Sequence, residues 1–289
     1  MKRICLLFAM AILPLDAQCP THAPMGDPSA TPAWNGWGAD ASNTRFQAAA
    51  QLPAGQVSRL KLKWTFGFPG VRSVLGQPAI AGGRVFMGVD NGTVYSLDAA
   101  SGCMYWSFKA EAGVRTAVTI QGSKPIAYFG DLRANVYALD ASTGAQIWKV
   151  RVEEHASARI TGSPKFYGGN LYVPVASGEE GAGGQANYAC CTFRGSVVAL
   201  DAATGKQVWK TYMIADEPKV VGKKSNGVER WAPAGAGVWN SPTIDPKRGA
   251  LYVGTGDAYA EPAAKTTDAI VALDLKSGKI LWSFQDTAN

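Results

Sequence analysis

The hydrophobic and polar positions of this 289-residue chain repeat one pattern four times. Each copy alternates apolar and small residues, continues with Leu-Asp and a small-residue turn, and ends on a Trp four residues after a Gly. We call these copies the repeat hairpins; they cover residues 94–108, 136–150, 197–211 and 270–284. Alternation predicts a half-buried strand, and Asp followed by Gly predicts a tight turn. Each copy is therefore predicted to be a β-hairpin that carries one indole ring.

The spacing of the repeat hairpins predicts the fold class. A strand-turn-strand unit that recurs at roughly 40–50 residues is typical of propeller blades. The first two copies have such a spacing, and the later copies lie further apart. The longer spacings predict insertions at 177–195 and 258–267, and insertions in repeat folds gather on one face, often the binding face. We predict an all-β chain with about four four-stranded blades.

The region before the first repeat hairpin predicts three further segments. Residues 1–17 combine a basic start, a ten-residue apolar run and a small-residue cleavage site, which is typical of a secretory signal peptide. Residues 18–59 indicate a tail and a packed, Gly-rich loop, and residues 60–289 are assigned to the partial propeller. Within it, residues 60–66 predict a lone strand that completes the last blade. The predicted location is the periplasm, without a membrane span.

Charge and cysteine content limit the function classes. The net charge is +6, but Lys and Arg are scattered, and the basic stretch at 219–224 favours a solvated loop over nucleic-acid binding. The chain has only two histidines, and no serine or cysteine hydrolase set is visible. In an oxidising compartment Cys190 and Cys191 either bond each other or each pair with a distant cysteine. Cys19 and Cys103 either form a disulfide that ties the N-terminal tail to the first blade or stay free thiols.

Polar residues beside the insertions are the candidates for chemistry. Glu180, with its neighbour Glu179, follows an apolar strand, and Asp257 holds the same place in the next blade. Two carboxylates on adjacent blades suit Ca²⁺, and solvated loop acids are the alternative. Trp239 lies outside the repeat hairpins and provides either a floor for an aromatic ligand or core packing. Arg115 precedes an inner strand and either clamps a carboxylate or lies on the surface.

Together the repeats, the GWGADASNTRFQ segment, the adjacent cysteines and the VWNSPTIDPKRGALYVGTGD segment resemble the quinoprotein alcohol dehydrogenases. The resemblance extends over the chain after residue 33 and is strongest with the branch that oxidises polyvinyl alcohol. It implies an eight-bladed propeller that carries pyrroloquinoline quinone (PQQ) and a divalent ion, usually Ca²⁺. About four of the eight blades are expected here.

The resemblance assigns cofactor roles to five residues of the first three blades. Glu180 matches the glutamate that contacts both the ion and the quinone. Ser177 and Gly178 match its quinone-binding neighbours, and Thr161 matches a quinone-contacting threonine. Arg115 corresponds to the arginine that meets the quinone carboxylates.

Four further residues are assigned by the same resemblance. Trp239 corresponds to the tryptophan whose ring stacks under PQQ. Asp257 replaces what is commonly an asparagine ligand of the ion and keeps an oxygen donor. Cys190 and Cys191 correspond to a vicinal disulfide that covers the other face of the quinone, although in the methanol-oxidising branch that pair sits on an earlier blade.

The implied reaction is two-electron oxidation of an alcohol, either polyvinyl alcohol or another secondary alcohol. An aspartate accepts the hydroxyl proton, hydride passes to the quinone, and electrons then pass to a cytochrome c. That aspartate is expected beyond Asn289, so no catalytic residue is assigned and the reaction is expected to be incomplete in this chain. The alternatives are a non-catalytic periplasmic propeller that acts as a binding or assembly scaffold, whose repeats are similar, and a gene fragment without function.

Overall fold

The computed structural model describes residues 18–21, 23–30, 33–50 and 52–287, so the predicted signal peptide lies outside the described residues. Strands make up nearly all of the regular secondary structure of the described residues, and four of the sheets coincide with the predicted blades. Each blade is antiparallel, and its four main strands pair in chain order; blade three has one extra short strand, which pairs with the second of its main strands. The all-β prediction is confirmed.

The first two blades are regular. Blade one consists of β1 (Ala79–Ala81), β2 (Arg84–Gly88), β3 (Thr93–Asp98) and β4 (Met104–Lys109). Blade two consists of β5 (Thr119–Gln121), β6 (Ile126–Gly130), β7 (Asn135–Asp140) and β8 (Gln146–Arg151).

The last two blades carry the insertions. Blade three consists of β9 (Ala158–Arg159), β10 (Lys165–Tyr167), β11 (Asn170–Ser177), β12 (Ser196–Asp201) and β13 (Gln207–Tyr212), with helix α1 (Glu179–Gly183) after β11. A hairpin of β14 (Lys219–Lys223) and β15 (Glu229–Ala232) follows. Strand β16 (Ala234–Gly235) pairs with β19 (Ala258–Ala260). Blade four consists of β17 (Thr243–Asp245), β18 (Ala250–Gly254), β20 (Ala269–Asp274) and β21 (Ile280–Gln285).

The turn chemistry of the repeat hairpins is as predicted. In the fourth copy, Asp274 Oδ1 accepts hydrogen bonds from the Lys276 and Ser277 backbone N–H groups at 3.1 and 2.8 Å. The Ser277 hydroxyl and the two N–H groups hold the pKa of Asp274 below its usual value. Gly278 then has φ +70°, in the left-handed region that favours glycine. The same arrangement recurs in the other three copies.

Successive blades are joined through the Trp that ends each repeat hairpin. The Trp106 indole N–H of blade one donates to the Ala141 carbonyl of blade two at 3.0 Å, and its ring packs on Gly144. Trp148 makes the same contact from blade two to blade three, and Trp209 makes it from blade three to blade four. Buried apolar clusters fill the space between consecutive blades. The repeat therefore specifies both the hairpin and the contact to the next blade.

The prediction of a strand over residues 60–66 is wrong. These residues are extended but belong to no strand of the described chain, and Leu62 is 81% exposed. Backbone groups of an extended segment become a strand only by pairing with a neighbour, and none of the described strands lies alongside. Trp64 still docks as the repeat tryptophans do, because its indole N–H donates to the Ala99 carbonyl of blade one at 3.2 Å.

The Gly-rich loop at residues 34–45 touches the first strand of every blade. We call it the axial loop. Because one segment reaches four consecutive first strands, these strands must converge. Its contacts are Trp34 with Ile80 through two backbone hydrogen bonds of 2.8 Å, Asn35 with Ile120, the Asp40 carbonyl with Lys165, and Ala41 and Ser42 with Ile244.

Both cysteine pairs form disulfides, Cys19–Cys103 and Cys190–Cys191. The first ties the segment before the axial loop to blade one, where the Cys19 N–H also donates to the Met104 carbonyl at 3.0 Å. In the part of the chain that the structure describes, no helix is long and apolar enough to span a membrane.

Candidate functional site

A cavity of about 690 Å³ opens where the first strands of the blades converge. Most of its walls are the segments that precede first strands or follow second strands, together with the axial loop. Six of the predicted site residues line it: Arg115, Thr161, Ser177, Glu180, Trp239 and Asp257. Convergence of blades two, three and four explains why residues as far apart in sequence as Arg115 and Asp257 share one cavity.

Trp239 presents its indole ring to this cavity. The ring is 64% exposed, although the backbone around it is held firmly. The next residue, Asn240, donates to the Gly254 carbonyl at 2.5 Å and accepts from the Gly254 N–H at 3.2 Å. The Trp239 carbonyl accepts a hydrogen bond from the Thr161 hydroxyl at 3.4 Å. An apolar ring that stays exposed on a fixed backbone is a ready surface for a flat ligand.

Two carboxylates face the same cavity from adjacent blades. Glu180 stands in the first turn of α1, and Asp257 follows β18. Burial raises the pKa of Asp257, and the nearby Asp268 carboxylate raises it further. Burial also raises the pKa of Tyr259, whose hydroxyl accepts a hydrogen bond from Ser177 at 3.4 Å and feels the charges of Asp257 and Glu180. A cation in this cavity would offset the cost of holding the two acids near each other.

The protein supplies only part of a metal coordination shell. Among the described residues, no group of three or more His, Cys, Asp or Glu side chains gathers in a way that would hold an ion. Ca²⁺ takes six to eight oxygen ligands. Glu180 and Asp257 therefore fit such an ion when a bound ligand or water supplies further oxygens.

Three predicted site residues do not line the cavity. Gly178 precedes α1, and its Cα lies against the Arg159 guanidinium. The Cys190–Cys191 disulfide is buried. It lies behind the wall, where a Cβ on Gly183 of α1 would be 2.7 Å from Cys190 Sγ, and it packs on Tyr259.

Other lining residues are absent from the sequence prediction, and four of them carry aromatic or amide side chains. Trp37 and Asn43 come from the axial loop, and Asn240 and Tyr259 flank predicted residues. The Arg45 guanidinium lies 4.8 Å over the Trp37 ring and fixes that aromatic at the rim. Tyr259 lies within the predicted insertion 258–267, which is the one sequence signal that pointed to it.

Comparison with known proteins agrees with this architecture. The family model described as outer membrane protein assembly factor BamB matches residues 54–219, and the model described as the β-propeller domain of glucose, ethanol and alcohol dehydrogenases matches residues 181–288. A polyvinylalcohol dehydrogenase of Pseudomonas sp is 41% identical over 96% of this chain and 44% of its own length. A second, from Sphingopyxis sp. (strain 113P3), is 38% identical over 94% of this chain and 42% of its own length.

A solved structure confirms the fold. The quinohemoprotein alcohol dehydrogenase ADHIIG of Pseudomonas putida HK5 superposes with a TM-score of 0.72 and 24% identity, over 90% of this chain and 40% of that one. With its propeller blades and their repeats, the chain belongs to the PQQ-type alcohol dehydrogenase family. It spans less than half of the length of the two polyvinylalcohol dehydrogenases above.

Proposed function

We propose that this chain forms part of a PQQ- and Ca²⁺-dependent site that oxidises an alcohol. The observation that carries the proposal is the exposed Trp239 ring in one cavity with Glu180 and Asp257. An aromatic floor beside two carboxylates suits a flat ligand that shares an ion with the protein. When bound, PQQ would supply the two-electron acceptor of the reaction.

The residues around the cavity suit the parts of such a ligand. Trp239 would stack on the ring system, which favours an offset aromatic arrangement. Arg115 would pair with a carboxylate of the ligand, and the Thr161 and Ser177 hydroxyls would accept or donate at its edge. The cavity walls would shield one side of the ligand from water.

The two acids would hold Ca²⁺. Glu180 and Asp257 provide negative oxygens from two blades, and the oxygens of the bound quinone would complete the shell. Such an ion draws electron density from an oxygen that it contacts. Partial desolvation and the nearby Asp268 carboxylate raise the pKa of Asp257, and a bound cation would lower it.

The substrate and partners follow from the relatives. Two relatives are named for polyvinyl alcohol, so we propose this polymer or another secondary alcohol as substrate, with a cytochrome c as electron acceptor in the periplasm. The domain division into signal peptide, N-terminal loop and partial propeller remains part of the proposal. The proton acceptor is proposed to be an aspartate outside this chain, because the two cavity acids are assigned to the ion.

Fluorescence titration tests the proposal. Adding PQQ with Ca²⁺ to the chain should quench tryptophan emission with a saturable dependence on PQQ, and chelation of Ca²⁺ should reverse it. The Trp239→Leu variant should lose most of this quenching, whereas Trp282→Leu, whose ring is exposed at blade four away from the cavity, should keep it. Absence of saturable quenching would refute the cofactor and favour a non-catalytic scaffold. Alcohol-dependent dye reduction by the loaded chain then measures whether it turns over alone.

A further inference from the structure

Glu179 and Glu180 are neighbours in sequence but lie in opposite environments. Glu180 lines the cavity, whereas the Glu179 side chain is completely buried. The backbone N–H of Glu179 donates to the Ser177 hydroxyl at 3.1 Å, which fixes the start of α1. A fully buried carboxylate needs strong partners, because an uncompensated charge in the interior is very costly.

The hydrogen-bond donors to the Glu179 carboxylate all come from one segment, and His155 Nε2 of another loop lies 3.7 Å from Glu179 Oε1. Its carboxylate accepts the Phe193 N–H at 2.7 Å, the Thr192 N–H at 2.9 and 3.1 Å, and the Tyr188 hydroxyl at 2.9 Å. The Thr192 hydroxyl adds a longer bond of 3.4 Å. These donors flank the vicinal disulfide on both sides. We call residues 188–193 the disulfide segment.

His155 extends this network. The Ser157 N–H donates to His155 Nδ1 at 3.2 Å, so Nδ1 is an acceptor and the ring proton sits on Nε2. His155 Nε2 then lies 3.0 Å from the Thr192 hydroxyl, to which it donates. The Ser157 carbonyl accepts the Gly178 N–H at 2.9 Å. The loop before β9, the start of α1 and the disulfide segment are thereby held as one unit.

The disulfide segment in turn backs the cavity wall. Both sulfurs press on α1 at Gly183, and Cys190 and Cys191 pack on Tyr259. Tyr259 lines the cavity and pairs with Ser177. Displacement of the disulfide segment would therefore shift Tyr259 and the helix that carries Glu180.

We propose that Glu179 is a positioning residue for the cavity: its buried carboxylate fastens the disulfide segment to α1 and so holds Glu180 and Tyr259 in place. The link to ligand binding rests on the proposed function, whereas the bracing itself does not. Loss of such a supporting partner typically weakens metal affinity about 10–100-fold. The substitution Glu179→Gln preserves size but turns one acceptor into a donor that faces N–H groups.

The reactivity of the two disulfides measures the bracing without any ligand. The chain is treated with a phosphine reductant, and released thiols are trapped and assigned by peptide mass spectrometry. In Glu179→Gln, reduction of Cys190–Cys191 should accelerate about tenfold or more while Cys19–Cys103 keeps its wild-type rate, since the lost bonds surround only the first pair. Glu154→Gln, an exposed acid of the same loop as His155, is the matched control and should change neither rate.

Tyr188→Phe removes a single hydrogen-bond donor to Glu179. It provides a milder test if Glu179→Gln does not fold. It should accelerate reduction of Cys190–Cys191 by a smaller factor than Glu179→Gln. Equal acceleration of both disulfides would mean general loosening and would overturn the positioning role, as would unchanged rates in both variants.

Ligand binding is measured in a second experiment, separate from disulfide reduction. With PQQ and Ca²⁺, Glu179→Gln should raise the Kd for PQQ about 10–100-fold, and Glu154→Gln should leave it unchanged. Wild-type affinity in Glu179→Gln would overturn the link to the cavity. If the wild-type chain binds no PQQ while Cys190–Cys191 still becomes reactive in Glu179→Gln, the proposed function fails and the bracing by Glu179 stands.

Discussion

The Trp209 indole ring of blade three lies directly on Gly278 of blade four. A Cβ placed on Gly278 would be 2.5 Å from Trp209 Cε3, and the indole N–H donates to the Leu275 carbonyl at 3.2 Å. The Gly of the repeat hairpin is therefore required twice, for its positive φ and for the ring that covers it. The same contact recurs between Trp64, which precedes the first repeat hairpin, and Gly102 within that hairpin.

Replacing Gly278 by Ala should destabilise the chain by about 2–4 kcal/mol, because it combines left-handed backbone strain with overpacking against the ring. Gly249→Ala is the matched control, since Gly249 also has a positive φ but has open space around its Cα. That control should cost only about 1 kcal/mol. Urea denaturation of both variants measures the difference, and equal losses would contradict the role of the Trp209 ring.

Truncation of Trp209 and Trp282 should have very different effects. Trp209 is buried between blades three and four, so Trp209→Ala should cost about 3–5 kcal/mol. Trp282 occupies the same place in its repeat hairpin but is 48% exposed, so Trp282→Ala should cost less than about 2 kcal/mol. Thermal or urea unfolding of the two variants checks this order. A larger loss of unfolding free energy in Trp282→Ala than in Trp209→Ala would contradict the prediction.

The lowered pKa of the buried Lys165 side chain predicts that the stability of the chain depends on pH. Burial lowers its pKa to about 8, against the partial compensation of Asp40. An unfolded lysine titrates near pH 10.4, so between these values the unfolded chain binds more protons and the free energy of unfolding rises with pH.

The rise should amount to roughly 3 kcal/mol at most, since one pKa unit corresponds to about 1.4 kcal/mol. Lys165→Met should abolish this part of the slope between pH 8 and 10, whereas the exposed Lys206→Met should retain it. Denaturation curves at several pH values for the three proteins test the prediction. A slope that survives in Lys165→Met would refute it.

Substitutions at Asp257 distinguish an ion ligand from a solvated acid. Asp257→Asn keeps an oxygen donor, so the Ca²⁺-dependent Kd for PQQ should change by less than about tenfold, whereas Asp257→Ala should weaken binding by about tenfold or more. Exposed Asp216, in the loop after blade three, provides the control, and Asp216→Ala should bind as the wild type does. Identical affinities of Asp257→Ala and wild type would exclude Asp257 as a ligand.

Local features of the fold were predictable because they depend on neighbours in sequence. Asp274 caps its turn with N–H groups two and three residues ahead, and Gly278 supplies the φ that the turn needs. Residues 60–66 show the limit of such reasoning. Their alternating pattern suits a strand, but strand formation needs a hydrogen-bonding neighbour, which none of the described strands provides.

The candidate site was predictable where a residue stands just before a first strand or just after a second strand. Thr161 and Trp239 precede β10 and β17, and both line the cavity. Trp37 was missed, because only the path of the axial loop across the four blades brings it to the rim.

The sequence alone determined the hairpins, their order and the family, because turn chemistry and strand alternation act over a few residues and recur at each copy. The resemblance singled out Glu180, but turn chemistry and strand alternation do not distinguish it from Glu179. Tertiary structure supplies the physical difference, because the packing of α1 directs Glu179 into the interior and Glu180 to the ligand cavity. It also decided that Cys190–Cys191 lies behind the wall instead of on it, since that depends on contacts with Tyr259, far away along the chain.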